Sequence, residues 1–343
     1  MARRDHENAN PILWILFLIA LYISSFFMRL PEMEQTGVFG LGLGLNWDFL
    51  FARTTLSAVL AAVFLLLTAL SLHTFNNRFS SGLNFILPLL YLILAVANPY
   101  AIWFTPFHIA ALGIVWALRY FVKYKAETGH PTDLFCSFFL LVFSSCFYLP
   151  SIWLAPFLLI SGFGYMENKL RYLLTVILGL LFGVALIVGL NYLVLGMDAL
   201  ASLPREWLGA MSAIATHLPE FSLLQICREG LLVILVLVAA LRNVRNQGKY
   251  KISESKMLSD VTLCTIVLFI VTALYLPDYS LPFEVMVFAP ASLVIFGLFG
   301  DSRKSLVTIF SLFIMVLIVI ERALGFIEVD GTPLIESLVF FSR

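Results

Sequence analysis

The chain has 343 residues, of which 61% are hydrophobic and 12% are charged, and its mean hydropathy is +0.97. A soluble domain is about 45–50% apolar and about 25% charged, so this composition excludes a soluble globular protein. The net charge is zero, which argues against a nucleic-acid partner. The four cysteines are scattered without a CxxC or Cys/His cluster, so they indicate neither a metal site nor a disulfide framework, and the sequence leaves any cofactor open.

Apolar runs long enough to cross a bilayer recur along the whole chain. A membrane span needs about 20 apolar residues, with about 17 as the lower limit. The eleven candidate spans, in chain order, are 11–28, 53–72, 82–98, 101–120, 133–149, 151–166, 170–195, 222–241, 260–276, 282–299 and 305–325. The stretch 133–166 also fits one interrupted hairpin, because Pro150 divides it into short halves. The sequence therefore predicts an all-α polytopic membrane protein, a single transmembrane domain over residues 1–343 with about 11 transmembrane helices.

The basic residues indicate the orientation of these spans. With the N-terminus in the cytoplasm, 15 of the 21 lysines and arginines fall in inner loops, as the positive-inside rule expects. The longest inner loop is the basic segment 242–259. Thirteen of the 21 acids lie on or near the outer side, which suggests that the outer face carries the function.

Two outer loops are longer than the others, 29–53 and 197–221. In the second loop, apolar residues recur at helical spacing between polar ones. This pattern predicts a short helix lying in the membrane interface. The residues that form it are Trp207, Leu208, Met211 and Ile214.

The loop 29–53 carries three carboxylates, which are our candidate catalytic residues: Glu32, Glu34 and Asp48. One of them would act as a general base, because the end of a membrane-anchored helix can hold a carboxylate near a substrate. Arg29 and Arg53 flank the loop and are candidate substrate-binding residues. Two alternatives stay open: the acids are ordinary solvated charges, or Asp48 caps the second helix.

Other candidate substrate-binding residues lie close to the same face. Arg205 and His217 belong to the loop 197–221, and Arg228 lies inside the eighth span. A charge within a span costs about 2.5–3.5 kcal/mol at its centre, so it usually faces a cavity. The planar guanidinium of Arg228 suits a phosphate group, although it could instead pair with Glu229 or with an acid on another helix.

Two further candidates follow prolines at the outer ends of predicted spans. His108 lies near the start of the fourth span and Glu284 at the start of the tenth. Glu321 and Arg322 end the eleventh span and are also possible cavity residues. A single histidine in a span is more often a packed hydrogen-bonding residue than a catalyst.

Three segments of the chain carry a first resemblance: NPILWILFLIALYISSFFMRLPE, ANPYAIWFTPFHIAAL and DLFCSFFLLVFSSCFYLPSIWLAPFLL. They resemble a family of polytopic inner-membrane proteins of Bacteroidota that has no assigned activity. This resemblance covers about the first two-thirds of the chain and implies a location in the bacterial inner membrane.

A second resemblance is architectural. The chain is similar to C-type membrane glycosyltransferases, which have a cytoplasmic N-terminus, a functional first outer loop and a second important outer loop between spans seven and eight. The RLPE sequence at Arg29–Glu32 resembles the acidic motif that ends their first span. By this match Glu32 would be the catalytic carboxylate. The usual adjacent Asp-Glu pair is absent, because Glu32 and Glu34 are separated by Met33, and the first loop is short for the family.

These features lead to one functional expectation and two alternatives. We expect an inverting glycosyltransferase that takes a sugar from a polyprenyl-phosphate donor on the periplasmic face, with membrane lipids as its other partners. A transporter or flippase for an amphipathic substrate would need charges along a path through the bilayer, which the spans do not show. A non-catalytic scaffold for envelope assembly would need an exposed small-residue face, for which Gly179-x-x-x-Gly183 is the candidate.

Overall fold

The computed structural model describes residues 11–27, 55–79, 86–165, 168–212, 223–246, 248, 251–275, 283–299, 304–326, 328–329 and 332–333. Six of the predicted site residues lie outside the described residues: Arg29, Glu32, Glu34, Asp48, Arg53 and His217.

The described part of the chain is almost entirely helical. The α-helices are α1 Pro11–Phe27, α2 Thr55–Phe79, α3 Ile86–Val96, α4 Pro106–Lys123, α5 Pro131–Ser145, α6 Leu154–Phe163, α7 Lys169–Leu195, α8 Met197–Ser212, α9 Leu223–Arg245, α10 Ile252–Tyr275, α11 Glu284–Phe299 and α12 Lys304–Phe326. Short 3-10 helices at Pro99–Ile102 and Leu149–Trp153 and a π-helical turn at Tyr124–Thr128 lie between them. Two short strands, β1 Glu328–Val329 and β2 Thr332–Pro333, pair antiparallel after α12.

Each of the eleven predicted spans overlaps one α-helix, and α8 contains Trp207, Leu208 and Met211 of the predicted interface helix, whose Ile214 lies outside the described residues. Among the described residues, three helices are long and apolar enough to cross a membrane: Thr55–Phe79, Lys169–Leu193 and Ile252–Tyr275. Shorter apolar helices accompany them, including Ile86–Val96 and the pair formed by Pro131–Ser145 and Leu149–Phe163. The chain is therefore a helical membrane protein.

Proline and glycine set many of the helix ends. Prolines occupy the first turn of α4, of α5 and of both 3-10 helices, where the missing N–H removes no internal hydrogen bond. Gly129 ends the π-helical turn with φ of 58°, a left-handed conformation that favours glycine. Asn168 caps α7, because its side chain accepts a hydrogen bond from the Arg171 N–H at 3.1 Å.

Helix α11 occupies the centre of the bundle. From Glu284 to Ile295 its described side chains are buried, with Ser292 as a polar member of this stretch. It packs on α3, α4, α9 and α10. The helix is apolar around its whole circumference, which is typical of a helix enclosed by others.

The outer surface of the bundle is apolar. Helix α7 exposes a row of large aliphatic and aromatic side chains: Leu170, Leu174, Ile177, Leu178, Leu181, Phe182, Leu186 and Leu193. Soluble monomers rarely expose an apolar surface of this extent, whereas lipid tails are as apolar as these side chains.

The other side of α7 packs closely on α5 through two glycines. A Cβ added at Gly179 would lie 2.9 Å from the Phe135 carbonyl oxygen, and one at Gly183 would lie 2.6 Å from Val142 Cβ. The Gly179-x-x-x-Gly183 motif therefore serves a helix contact within the chain, where small residues let two backbones approach.

We predict that Gly183→Ala lowers the thermal stability of the detergent-solubilised protein, because the added methyl group clashes with Val142. Overpacking of this kind typically costs about 1–3 kcal/mol. Gly189→Ala, on the same helix, is the matched control, since no heavy atom lies within 4 Å of its added Cβ. Equal melting temperatures for the two variants would contradict the close α5–α7 contact.

Candidate functional site

Arg228, near the start of α9, is the largest fully buried side chain in the described structure. Its Nη2 atom donates to Glu284 Oε1 at 3.1 Å, and its Nη1 atom pairs with Glu321 Oε2 at 2.5 Å. Its Nε atom donates to Glu229 Oε1 at 3.1 Å. One guanidinium is thus surrounded by carboxylates from α9, α11 and α12, and we call this set the Arg228 network.

The end of α3 joins the same network. Asn98 Nδ2 donates to Glu284 Oε2 at 2.9 Å, while Asn98 Oδ1 accepts the Tyr100 N–H and so caps the following 3-10 helix. Arg322 Nη2 donates to the carbonyl oxygens of Val96 at 2.7 Å and Ala97 at 3.3 Å. These bonds satisfy carbonyl groups at the helix end, which would be unfavourable without a hydrogen-bond partner in an apolar environment.

The geometry of the Arg228 network favours a stabilising role. Both Arg228 and Glu284 have side chains with no solvent exposure, and each side of the guanidinium already contacts a protein acceptor. A phosphate would have to displace one of these carboxylates. The sequence identified Arg228 and Glu284 separately as substrate-binding candidates, and the structure brings these two together while placing neither on an open surface.

His108 is a capping residue in this arrangement. It is 1% exposed, and its Nδ1 atom accepts the Thr105 backbone N–H at 3.2 Å. Its Nε2 atom lies 3.0 Å from the Ala101 carbonyl oxygen, so the proton belongs on Nε2. These contacts fix the turn that enters α4.

An apolar groove of about 390 Å³ opens at the same end of the bundle as the Arg228 network. Its walls come from the end of α5, the 3-10 helix Leu149–Trp153 and the second half of α7, and α8 covers it. The lining residues of α8 are Pro204, Trp207 and Leu208. Arg205, next to Pro204, is exposed. An apolar groove of this kind suits the hydrocarbon part of a ligand.

The opposite end of the bundle contains an ion pair that sequence reasoning missed. Lys125 Nζ contacts Asp260 Oδ1 at 2.7 Å and Ser161 Oγ at 2.9 Å, and the Lys125 and Asp260 side chains are 2% and 1% exposed. The ring of Tyr165 lies 4.4 Å from Lys125 Nζ and 4.8 Å from Lys256 Nζ. The sequence feature that could have predicted this pair is Asp260 at the edge of an apolar run, because a buried carboxylate is normally paired with a cation.

Comparisons with protein-family models, with curated proteins and with solved structures find no match for this chain. Within the described residues, no group of three or more His, Cys, Asp and Glu side chains is arranged to hold a metal ion.

We predict that Arg228→Gln strongly destabilises the protein, since it leaves Glu284 and Glu321 without the cation that balances them. Removing one member of a buried ion pair typically costs about 3–5 kcal/mol. Thermal denaturation in detergent measures the effect. Arg205→Gln is the control, because Arg205 is exposed and the same change there removes no buried partner. Equal melting temperatures for the two variants would show that the Arg228 guanidinium does not stabilise the network.

Proposed function

We propose that the chain is a membrane-embedded inverting glycosyltransferase of the bacterial inner membrane, which transfers a sugar from a polyprenyl-phosphate donor on the periplasmic face. In this proposal eleven helices span the membrane, the N-terminus is cytoplasmic, and the Arg228 network and the groove lie toward the periplasm. The observation that carries the proposal is the apolar groove lined in part by α8, the helix on which Arg205 is exposed next to the lining residue Pro204.

The groove supports a lipid substrate. Its walls are almost wholly apolar, with Ser145 as a polar side chain among them. Helix α8 has the composition of an interfacial helix, with Trp207 and Leu208 on the groove side. A polyprenyl chain would enter the groove from the lipid phase, between α7 and α8, without leaving an apolar environment.

Arg205 is the residue that we assign to the donor phosphate. Negative charge develops on this phosphate as the glycosidic bond breaks, and an arginine stabilises it through charge-assisted hydrogen bonds. Arg205 is preferred over Arg228, because Arg205 is exposed on α8, which lines the groove, while the donors of Arg228 contact protein carboxylates.

The transfer itself needs one base. Glu32, Glu34 or Asp48 would remove the proton of an acceptor hydroxyl, whose oxygen then attacks the anomeric carbon of the sugar. The bond from that carbon to the phosphate oxygen breaks, and its electron pair leaves with the polyprenyl phosphate. The products are the glycosylated acceptor and the lipid phosphate. Glu32 is our first choice, on its resemblance to the acidic motif of C-type glycosyltransferases.

Two observations weigh on the alternatives. Buried charges occur near both ends of the bundle, as a transporter would need. Between them, however, the side chains of α11 from Val285 to Ile295 are buried and apolar, with Ser292 as a polar exception. The candidate scaffold motif, Gly179-x-x-x-Gly183, already packs on α5 within the chain. Both observations favour the enzyme.

We predict that alanine at one or more of Glu32, Glu34 and Asp48 abolishes sugar transfer, because a variant without its base cannot activate the acceptor. The assay combines purified protein with bacterial membrane extract as the acceptor source and a panel of polyprenyl-phosphate hexoses, and it measures the released polyprenyl phosphate. Thermal stability of each variant serves as the folding control. Full release by all three alanine variants would exclude the proposed base.

We predict that Val184→Phe weakens donor binding, because the larger ring fills the groove that Val184 lines. The expected result is a raised KM for the donor with little change in thermal stability. Leu186→Phe, two residues further along α7, is the control, since Leu186 is 39% exposed and does not line the groove. An unchanged KM in Val184→Phe would show that the lipid chain binds elsewhere.

A further inference from the structure

The carboxylates around Arg228 outnumber the guanidinium groups that balance them. Glu229, Glu284 and Glu321 each lie within 3.1 Å of the Arg228 guanidinium. Arg322 is the second guanidinium of this region, and it donates to backbone carbonyl oxygens at the end of α3. If all five groups are ionised, three negative charges face two positive ones among the described members of the Arg228 network. A buried excess of charge is unfavourable, because water does not solvate it.

Glu229 is the carboxylate with the least compensation. Its Oε1 atom accepts a hydrogen bond from Arg228 Nε, whereas the two Nη atoms contact Glu284 and Glu321. The Oε2 atom of Glu229 is buried and has no hydrogen-bond partner in the described part of the chain. In Glu284, by contrast, Oε2 accepts a hydrogen bond from Asn98. A carboxylate oxygen buried without a donor disfavours the ionised form, and a neutral carboxyl group is much less costly to bury.

The helices around Glu229 bring no further cation to it among the described residues. Helix α9 packs on α10, α11 and α12. Helix α11 brings Glu284, α12 brings Glu321 and Arg322, and α10 ends at the phenol of Tyr275. The cation that forms an ion pair with Glu229 is Arg228, which it shares with the two other carboxylates.

Glu229 is also the most accessible member of the network. Its side chain is 15% exposed, whereas those of Arg228 and Glu284 have no exposure and that of Glu321 is 5% exposed. A proton can therefore reach Glu229 without separating the helices that enclose the other carboxylates.

We propose that the Arg228 network is a proton-binding site, which holds one proton in the folded protein at neutral pH and exchanges it through Glu229. With this proton bound, two carboxylates balance two guanidinium groups. The network joins the ends of α3, α9, α11 and α12, so loss of the proton leaves an uncompensated carboxylate at this junction and weakens it. The proposal goes beyond glycosyl transfer and does not rest on it.

The first test is the pH dependence of thermal stability of the full chain in nanodiscs. A glutamate of an unfolded chain loses its proton near about pH 4.3. A proton that only the folded state retains above that pH stabilises the fold, and this stability is lost as rising pH removes the proton. We expect the melting temperature of the protein to fall between about pH 6 and pH 9. Glu229→Gln, which stays neutral and still accepts from Arg228 Nε, should remove most of this fall.

Infrared spectroscopy of the same samples detects the proton directly, because a protonated carboxyl group and a carboxylate absorb at different frequencies. We expect a protonated-carboxyl band at pH 7 that disappears at high pH and is absent from Glu229→Gln. Asp133→Asn is the matched control and should keep the band, since Asp133 is paired with Lys123 at 2.6 Å at the opposite end of the bundle.

Two outcomes would overturn the proposal. One is the absence of a protonated-carboxyl band from the protein at pH 7, or its persistence in Glu229→Gln. The other is stabilisation by sodium chloride over choline chloride at equal concentration without such a band, which would show that a metal cation compensates Glu229.

Discussion

A buried guanidinium is the constraint on which the rest of this membrane bundle depends. An arginine in an apolar interior is stable only when its charge and its donors are compensated. Arg228 meets that condition through Glu229 on its own helix and through Glu284 and Glu321, which are 56 and 93 residues away in the chain. The network therefore forms only when α9, α11 and α12 are in place together, and it links their ends to the end of α3.

The opposite end of the bundle follows the same principle with different residues. Lys125 and Asp260 compensate each other across 135 residues of sequence, and Ser161 completes their hydrogen bonds. The apolar length of α11 separates this pair from the Arg228 network. The bundle thus has two polar ends, one where carboxylates surround Arg228 and one where Lys125 pairs with Asp260.

The sequence predicted the helices well, because hydrophobic run length determines where a membrane helix forms. It also identified Arg228 and offered Glu229, one residue away, as a partner. It could not identify Glu284 as the partner of Arg228 or Asp260 as the partner of Lys125, since these contacts depend on which helices become neighbours. The sequence also did not predict the lengths of α3 and α6, because prolines and 3-10 turns shorten these helices.

The contrast between Arg228 and Arg205 is the main change that the structure makes to the functional hypothesis. The sequence analysis named both residues as substrate-binding candidates and gave the phosphate argument for Arg228. Burial distinguishes them: Arg228 is already neutralised by protein carboxylates, whereas Arg205 is exposed on the helix that covers an apolar groove. A compensated arginine can hold helices rigidly, and an exposed one can exchange a departing phosphate for the next donor. In the function that we propose, the rigid network and the phosphate site are therefore assigned to different arginines.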